Sequence, residues 1–176
     1  MDPQERSRLR LRPLTDADRD EALRAHEELA ADGFEFLLDL RGGEPWAEHV
    51  RRHEDYRRGV GLPEGYVPAH FLVAEVAGEL VGRSSIRHEL NDFLREVGGH
   101  IGYGVRPAFR RRGYATEILH RSLDVLRDLG VERALVTCDD DNTGSATVIE
   151  RCGGRLEDVV LVAGGAPKRR YWIDLA

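Results

Sequence analysis

A run of arginines between a glycine-rich segment and a helical pattern has the residue types of an anion-binding loop. Residues 98–105 contain four glycines, and Pro107, the arginines at 110–112 and Gly113 follow them. A helix that begins at Gly113 presents unpaired amide groups and a partial positive charge at its N-terminus. Such a helix end binds phosphate or pyrophosphate, and glycine lets the backbone approach the ligand closely. The alternative is an ordinary turn between a strand and a helix, with solvated arginines.

The better-known phosphate-binding motifs do not fit this segment. A dinucleotide-binding GxGxxG pattern that starts at Gly102 needs glycine at position 107, where the chain has Pro107. The P-loop pattern, in which Lys precedes Ser or Thr, is also absent, because the single lysine of the chain, Lys168, precedes an arginine. A dinucleotide-binding fold and a P-loop enzyme are therefore disfavoured.

The periodicity of apolar residues predicts the elements that must position this loop. Four segments have helical spacing and helix-end signals: 15–31, 46–58, 113–129 and 145–152. Seven segments are typical of strands: 9–12, 71–76, 80–86, 98–105, 134–138, 156–162 and 168–174. This order predicts an α/β (α+β) fold, with a mixed, mostly antiparallel central sheet of about seven strands flanked by about four helices. No linker or repeat divides the chain, so we expect one domain over residues 1–176.

Composition excludes several classes of protein. The 176 residues carry 26 Lys and Arg against 32 Asp and Glu, a net charge of −6, whereas nucleic-acid binders usually have a basic excess. Two cysteines, Cys138 and Cys152, are too few for a disulfide framework, which favours a reducing compartment. We find neither a signal peptide nor an apolar run of roughly 20 residues that could span a bilayer. We therefore expect a cytoplasmic protein that binds neither nucleic acid nor membrane.

The arginine loop and a second segment together resemble one known family. Val105-Arg106-Pro107, followed by the stretch from Arg110 to Ala115, is similar to the acetyl-CoA-binding signature of the GNAT N-acetyltransferases. In that signature Arg or Gln is followed by two residues, Gly, one residue, and Gly or Ala. Asn142, Ser145 and the Gly153-Gly154 helix end resemble the second conserved segment of the family. The resemblance covers most of the chain and is strongest over residues 98–156.

The resemblance implies acetyl-CoA as cosubstrate and no metal. The amides from Arg111 to Thr116 would hold the pyrophosphate, and the pantetheine arm would lie along the strand that ends at Val105, where this strand splays from 134–138. The Val105 N–H would stabilise the oxyanion of the tetrahedral intermediate. The residues implied to contact the cofactor are Val105, Arg106, Pro107, Arg110, Arg111, Arg112, Gly113, Tyr114, Ala115, Thr116, Asn142 and Ser145.

Direct attack on the thioester requires a neutral amine, and therefore a group that removes a proton. We expect His100 to be this general base, because it starts the central strand and an imidazole titrates near neutral pH. The alternative is a histidine at a strand end that bonds a backbone group. Glu96 and His88 are the reserve choices. Many family members carry a tyrosine acid seven residues after the Asn, but that position here is Ile149, so no general acid is assigned.

The function predicted is transfer of acetyl from acetyl-CoA to a primary amine of a small molecule or a peptide. Acidic residues in the first two helices and their loop would attract a cationic amine, or they form an ordinary surface. A CoA-binding sensor or interaction module without turnover is the first alternative. A metal-dependent hydrolase built on Asp139, Asp140 and Asp141 is the second. Similar proteins are commonly homodimers, so a homodimer is a further expectation.

Overall fold

The structure, a computed structural model, describes residues 9–176 and contains the predicted elements. Seven strands run in the order β1 Arg10–Arg12, β2 Ala69–Val76, β3 Glu79–Arg87, β4 Ile101–Val105, β5 Arg133–Asp139, β6 Arg155–Val160 and β7 Lys168–Asp174. Four α-helices accompany them within the described range: α1 Arg19–Ala30, α2 Trp46–Arg57, α3 Tyr114–Asp128 and α4 Thr143–Arg151. The predicted fold class is confirmed. That these elements form a single domain over 1–176 stays a prediction.

The strands form two sheets, and the break between them falls between β4 and β5. One sheet has the order β1-β2-β3-β4 and the other the order β5-β7-β6. Every ladder in both sheets is antiparallel. The predicted central sheet is thus divided in two, and the division lies where β4 meets the strand after α3.

The strand before the arginine loop is shorter than predicted. We expected it to begin at Gly98, but β4 begins at Ile101. Residues Leu94–Gly98 form a single π-helical turn instead, and the Gly99 amide donates to the Leu94 carbonyl oxygen. Gly99 has φ of +64°, a conformation that glycine adopts readily, so it reverses the chain into β4.

Helix α3 carries the largest part of the core against the sheets. Its Leu119, Leu123 and Leu126 are buried in one cluster with Ala134 and Val136 of β5. The spacing of these leucines places them on one face of the helix, as the sequence pattern predicts. This packing fixes the N-terminal end of α3 relative to the break between the sheets. In the described part of the chain, no helix is long and apolar enough to cross a membrane.

One buried arginine holds the loop after α1 against the sheet. The Arg83 guanidinium, in β3, donates to the carbonyl oxygens of Phe36, at 3.1 Å, and Gly102, at 3.0 Å, and also to that of Glu35. It lies 4.3 Å from the centre of the Phe34 ring. Burial lowers the pKa of Arg83 to about 9, so the side chain remains charged at neutral pH. The loop therefore forms a fixed wall over β3 and β4.

Replacing Leu119 by alanine is expected to lower the free energy of unfolding by about 2–5 kcal/mol, because it leaves a cavity in a fully buried site. Leu129, at the end of the same helix, is 44% exposed, so Leu129→Ala is the matched control, with a change below about 1 kcal/mol expected. Urea denaturation followed by circular dichroism measures both. Equal losses in the two variants would contradict this description of the core.

Candidate functional site

Strands β4 and β5 lie side by side but are hydrogen-bonded at one point only, and we call the gap between their remaining edges the cleft. The His100 amide donates to the Leu135 carbonyl oxygen at 2.7 Å, and the Leu135 amide donates to His100 Nδ1 at 2.9 Å. Within residues 9–176, no other backbone hydrogen bond joins these strands. The strands therefore separate beyond this point, towards Val105 on one side and Cys138 on the other.

The Val105 amide points into this cleft. The neighbouring Arg106 amide donates to the Val81 carbonyl oxygen of β3 at 2.9 Å. Amide directions alternate along an antiparallel strand, so the Val105 N–H faces away from β3. The Val105 carbonyl oxygen accepts from Arg110 Nε at 3.1 Å, which closes the loop back onto the strand end.

The loop that follows presents a row of unpaired amides. After a short turn at Pro107–Phe109, Arg111 has φ of +59° and Gly113, the N-cap of α3, has φ of +83°. Successive amides in such alternating conformations converge on one concave surface. In the described residues, the six amides from Arg111 to Thr116 have no hydrogen-bond acceptor, and the first helical bond runs from the Glu117 amide to the Gly113 oxygen at 3.2 Å. This surface is suited to an anion.

The arginines of the loop have different roles, and two of them point away from the surface formed by the unpaired amides. Arg106 is buried and makes two hydrogen bonds of 2.9 Å to Glu28 and one of 2.9 Å to Glu21. The hydrogen bonds that Arg106 donates to the Glu28 carboxylate raise the pKa of Arg106. Arg110 pairs with Asp32 at 2.6 Å. The two side chains therefore anchor the loop to α1 and to the turn just after it, which argues against the expectation that they contact the cofactor.

The remaining predicted residues of the loop fall into two groups. Arg111 and Arg112 are exposed and, in the described chain, form no ion pair within 4 Å. Tyr114 is buried in the apolar cluster of Val105 and Ile118, so its side chain is structural. Ala115 and Thr116 are half-buried in the first turn of α3 and contribute backbone amides.

Asn142 and Ser145 lie across the cleft, at the N-terminus of α4. Asn142 is the N-cap, and its Oδ1 accepts from the Ser145 amide at 3.0 Å. The Ser145 hydroxyl is 2.9 Å from the Tyr103 hydroxyl of β4, so this pair bridges the cleft. Sequence reasoning missed the bridge, because the two residues are far apart in the chain.

Many family members carry a tyrosine at the position of Ile149, which has no hydroxyl. In this chain Tyr103 places a hydroxyl at the cleft. Ile149 is fully buried in the apolar cluster beneath α4. Tyr103 lies two residues before Val105, and so on the same face of β4. Burial raises the pKa of Tyr103 to about 12, so its phenol carries a proton at neutral pH.

The geometry argues against His100 as the general base. A neutral imidazole has one nitrogen lone pair, and in His100 the Nδ1 lone pair accepts the Leu135 amide. His100 is 4% exposed, and burial lowers its pKa to about 4. The alternative considered above, a histidine that bonds the backbone, describes this residue: it pins β4 to β5.

The reserve bases and the aspartate run are also engaged or distant from the cleft. His88 Nε2 lies 2.8 Å from His70 Nδ1, and Glu96 is exposed on the turn before β4. Asp139 pairs with Lys168, and Asp140 pairs with Arg169 at 2.7 Å. Across residues 9–176, no three His, Cys, Asp or Glu side chains are grouped as a metal ion would require.

A cavity of about 270 Å³ lies against β2 and β3. Its walls come from the loop after α1, from α2, from residues 65–71 and from the turn before β4. Of the acidic residues predicted in this region, Glu35 and Asp39 line the cavity, whereas Glu44 is paired with Arg52. Ser85 and Arg87 of β3 also line it, and sequence reasoning had assigned neither of them a role.

Comparison with known proteins supplies the family. The family model described as "Acetyltransferase (GNAT) domain" matches residues 8–155. The chain belongs to the GNAT acetyltransferase family. The chain is also 28% identical over 139 residues to "Acetyltransferase SG1711" of Sodalis glossinidius (strain morsitans), an alignment that covers 76% of this chain and 88% of that protein.

Solved structures of GNAT acetyltransferases share the fold. The yncA acetyltransferase of Salmonella typhimurium with its cofactor acetyl-CoA superposes with a TM-score of 0.65 at 18% identity, covering 96% of this chain and 95% of that one. An acetyl transferase of Salmonella typhimurium that modifies the N-terminal serine of a 50S ribosomal subunit protein gives a TM-score of 0.67 at 18% identity, covering 96% and 95%. At these identities the likeness is one of fold.

Replacing His100 by asparagine is expected to weaken the acid sensitivity of the fold. The pKa of His100 is about 4 in the folded protein against 6.5 for a free side chain, so its contribution to stability is complete above pH 6.5 and is lost as the pH falls towards 4. Chemical denaturation between pH 4 and 7 should therefore show a shallower decline for His100→Asn, by up to about 1.4 kcal/mol per pH unit. Identical slopes would contradict the buried, neutral histidine.

Proposed function

We propose that the protein transfers an acetyl group from acetyl-CoA directly to a primary amine of a small molecule or a peptide. The observation that carries this proposal is the row of six unpaired amides at the N-terminus of α3, next to a cleft into which the Val105 amide points. The reaction involves two anionic groups, the pyrophosphate and the oxyanion. Both would meet N–H donors on one continuous stretch of backbone, from Val105 to Thr116.

The residues of this chain fit the cosubstrate as follows. The amides from Arg111 to Thr116 bind the pyrophosphate, with Arg111 and Arg112 supplying charge at its edge. The edge of β4 that faces the cleft binds the pantetheine arm, and the Val105 N–H donates to the thioester oxygen. Asn142 lines the opposite side of the cleft. Acetyl-CoA supplies the activated acyl group.

The acceptor amine enters from the cavity side of β4. Arg83 and Arg87 place positive charge near this cavity, and positive charge lowers the pKa of a neighbouring ammonium group. The carboxylates of Glu35 and Asp39 line the cavity and can take the proton, directly or through water. This assignment replaces His100.

We also propose a proton donor for the departing thiolate. The Tyr103 phenol lies on the cleft wall, is protonated at neutral pH and is held by Ser145. It thus takes the role of the tyrosine that many family members carry at the position of Ile149. A thiolate is a fair leaving group even without help, so the phenol accelerates a step that proceeds slowly in its absence.

The compartment, the oligomeric state and the metal requirement of the enzyme complete the proposal. The free thiols of Cys138 and Cys152 are consistent with the reducing cytoplasm. A homodimer and the lack of a metal requirement remain expectations from the family resemblance.

The experiment that tests the function is thiol release from acetyl-CoA with a panel of primary amines. Turnover that depends on the amine, with the acetylated product identified by mass spectrometry, supports an N-acetyltransferase. Acetyl-CoA binding without release for any amine supports the alternative, a CoA-binding module without turnover, which Ile149 in place of a tyrosine favours.

Gly113→Glu is expected to abolish acetyl-CoA binding, because its carboxylate would meet the pyrophosphate and its backbone is unfavourable at φ of +83°. Gly130→Glu is the matched control, since Gly130 follows the other end of α3 at φ of +79° with no atom near its missing side chain. Isothermal titration with acetyl-CoA compares them. Normal affinity in folded Gly113→Glu would remove the phosphate site from this loop.

Tyr103→Phe is expected to lower kcat by about 10- to 100-fold with little change in the KM for acetyl-CoA. Ser145→Ala removes the partner of the phenol but keeps the proton donor, so its kcat should fall less. Steady-state thiol release measures both variants. A Tyr103→Phe enzyme with the kcat of the parent would rule the phenol out as the acid.

A further inference from the structure

The cavity beside β3 and β4 contains a guanidinium group without a counter-ion. Arg87 Nη1 donates only weakly, to the carbonyl oxygens of Gly98 at 3.3 Å and Gly99 at 3.5 Å. Within the described chain, no carboxylate lies within 4 Å of Arg87, although most other arginines that are not fully exposed have one. The side chain is only partly exposed, and burial lowers its pKa. Removing a cation from water is unfavourable unless an anion joins it.

A second cation lies beside it. Arg83, also without a carboxylate within 4 Å in residues 9–176, bonds only to backbone oxygens. Both guanidinium groups lie over Gly102 of β4: a Cβ atom placed there would be 3.5 Å from Arg87 Nη1 and 3.8 Å from Arg83 Nη1. Each of the three nitrogens of Arg83 donates to a carbonyl oxygen, and the side chain is buried. In the part of the chain that the structure describes, Arg87 donates from Nη1 alone and lines the cavity, so its Nε and Nη2 are the donors left for a ligand.

Two carboxylates share the cavity with Arg87. Glu35 and Asp39 both line it, and Asp39 Oδ1 accepts from the Tyr66 hydroxyl at 2.9 Å. The Glu35 carbonyl oxygen accepts from Arg83, and the Phe34 ring before it covers Gly104 of β4, where an added Cβ would be 2.5 Å from the ring. The cavity therefore has a cation over Gly102 and two carboxylates that can hold a cationic amine.

We propose that the acceptor is a small amino acid with an apolar side chain, whose carboxylate pairs with Arg87 while its amine points towards Glu35 and Val105. This inference rests on the proposed function and names the substrate class of that site. Part of the walls suits an apolar side chain, since Leu38, Tyr56, Phe71, Phe93 and Leu94 lie there beside the polar side chains of His53, Tyr66, His70 and Ser85. A volume of about 270 Å³ admits a free amino acid.

The spacing along β4 agrees with a short acceptor. Three residues of strand separate Gly102 from Val105, or roughly 10 Å. An α-amino acid carries its amine and its carboxylate on one carbon atom and is shorter than this span. A carboxylate at Arg87 and an amine near the end of β4 therefore suit a small acceptor.

The test compares L-leucine with two analogues that lack the negative charge, L-leucinamide and isoamylamine, in thiol release from acetyl-CoA. The parent enzyme should prefer L-leucine in kcat/KM by about 10- to 100-fold, the effect of one charge-assisted pair. Arg87→Gln should remove this preference, chiefly by raising the KM for L-leucine, and should lower kcat/KM for isoamylamine far less. Arg87→Lys should restore part of it, and Arg24→Gln, an exposed arginine on α1, should behave as the parent.

Two further arms separate this inference from the function on which it rests. Titration of the protein with L-leucine, with and without CoA, detects the carboxylate site even if no acetyl group is transferred, and Arg87→Gln with an unchanged melting temperature should lose that binding. Equal use of all three amines, or an equal loss for all three in Arg87→Gln, would overturn the inference. So would acetylation of leucyl-glycyl-glycine in preference to L-leucine, which would indicate a peptide acceptor while leaving the N-acetyltransferase function intact.

Discussion

Strands β4 and β5 are joined by one pair of hydrogen bonds, between His100 and Leu135, and the rest of the site depends on the gap beyond that pair. Because β4 is paired with β3 on one edge only, its Val105 amide is left free to face the gap. Because the chain leaves β4 through a tight turn into α3, a row of unpaired amides lies directly beside the same gap. A buried, neutral histidine at the closed end keeps the two sheets in register without closing the cleft.

Arginine has three separate uses in this chain, and the partners of the side chains distinguish them. Arg106 and Arg110 pair with carboxylates of and just after α1, and thereby hold the loop in place. Arg83 donates from all three of its nitrogens to backbone oxygens and fixes the wall of the cavity. Arg111, Arg112 and Arg87 have no carboxylate within 4 Å in the described residues, and they lie where the two substrates would bring their negative charges. Ion pairs thus stabilise the scaffold, and cations without a carboxylate remain where acetyl-CoA and the acceptor would bind.

The sequence predicted the features that depend on neighbours in the chain, and it missed those that depend on distant ones. The loop, the start of α3 and the strand that ends at Val105 follow from local spacing, whereas the family was recognised by the resemblance of the arginine loop and the Asn142 segment to a known signature. The partners of Arg106, at Glu21 and Glu28, lie some 80 residues away, so the sequence could not show that α1 holds its side chain. His100 was expected to be a base because its type suggests one, whereas its bond to Leu135 depends on how two sheets meet. The bridge from Tyr103 to Ser145 and the lack of a carboxylate at Arg87 could not be predicted either, because both depend on residues that are distant in the chain.

The central claim is that the backbone amides from Arg111 to Thr116 receive the pyrophosphate of acetyl-CoA. Amide hydrogen exchange, resolved residue by residue with and without saturating acetyl-CoA, measures these groups themselves. In the free protein they have no acceptor and should exchange quickly, and in the complex they should become protected while the end of α3 near Gly130 is unchanged. If these six amides exchange as fast in the saturated complex as in the free protein, the cosubstrate lies elsewhere and the account is wrong.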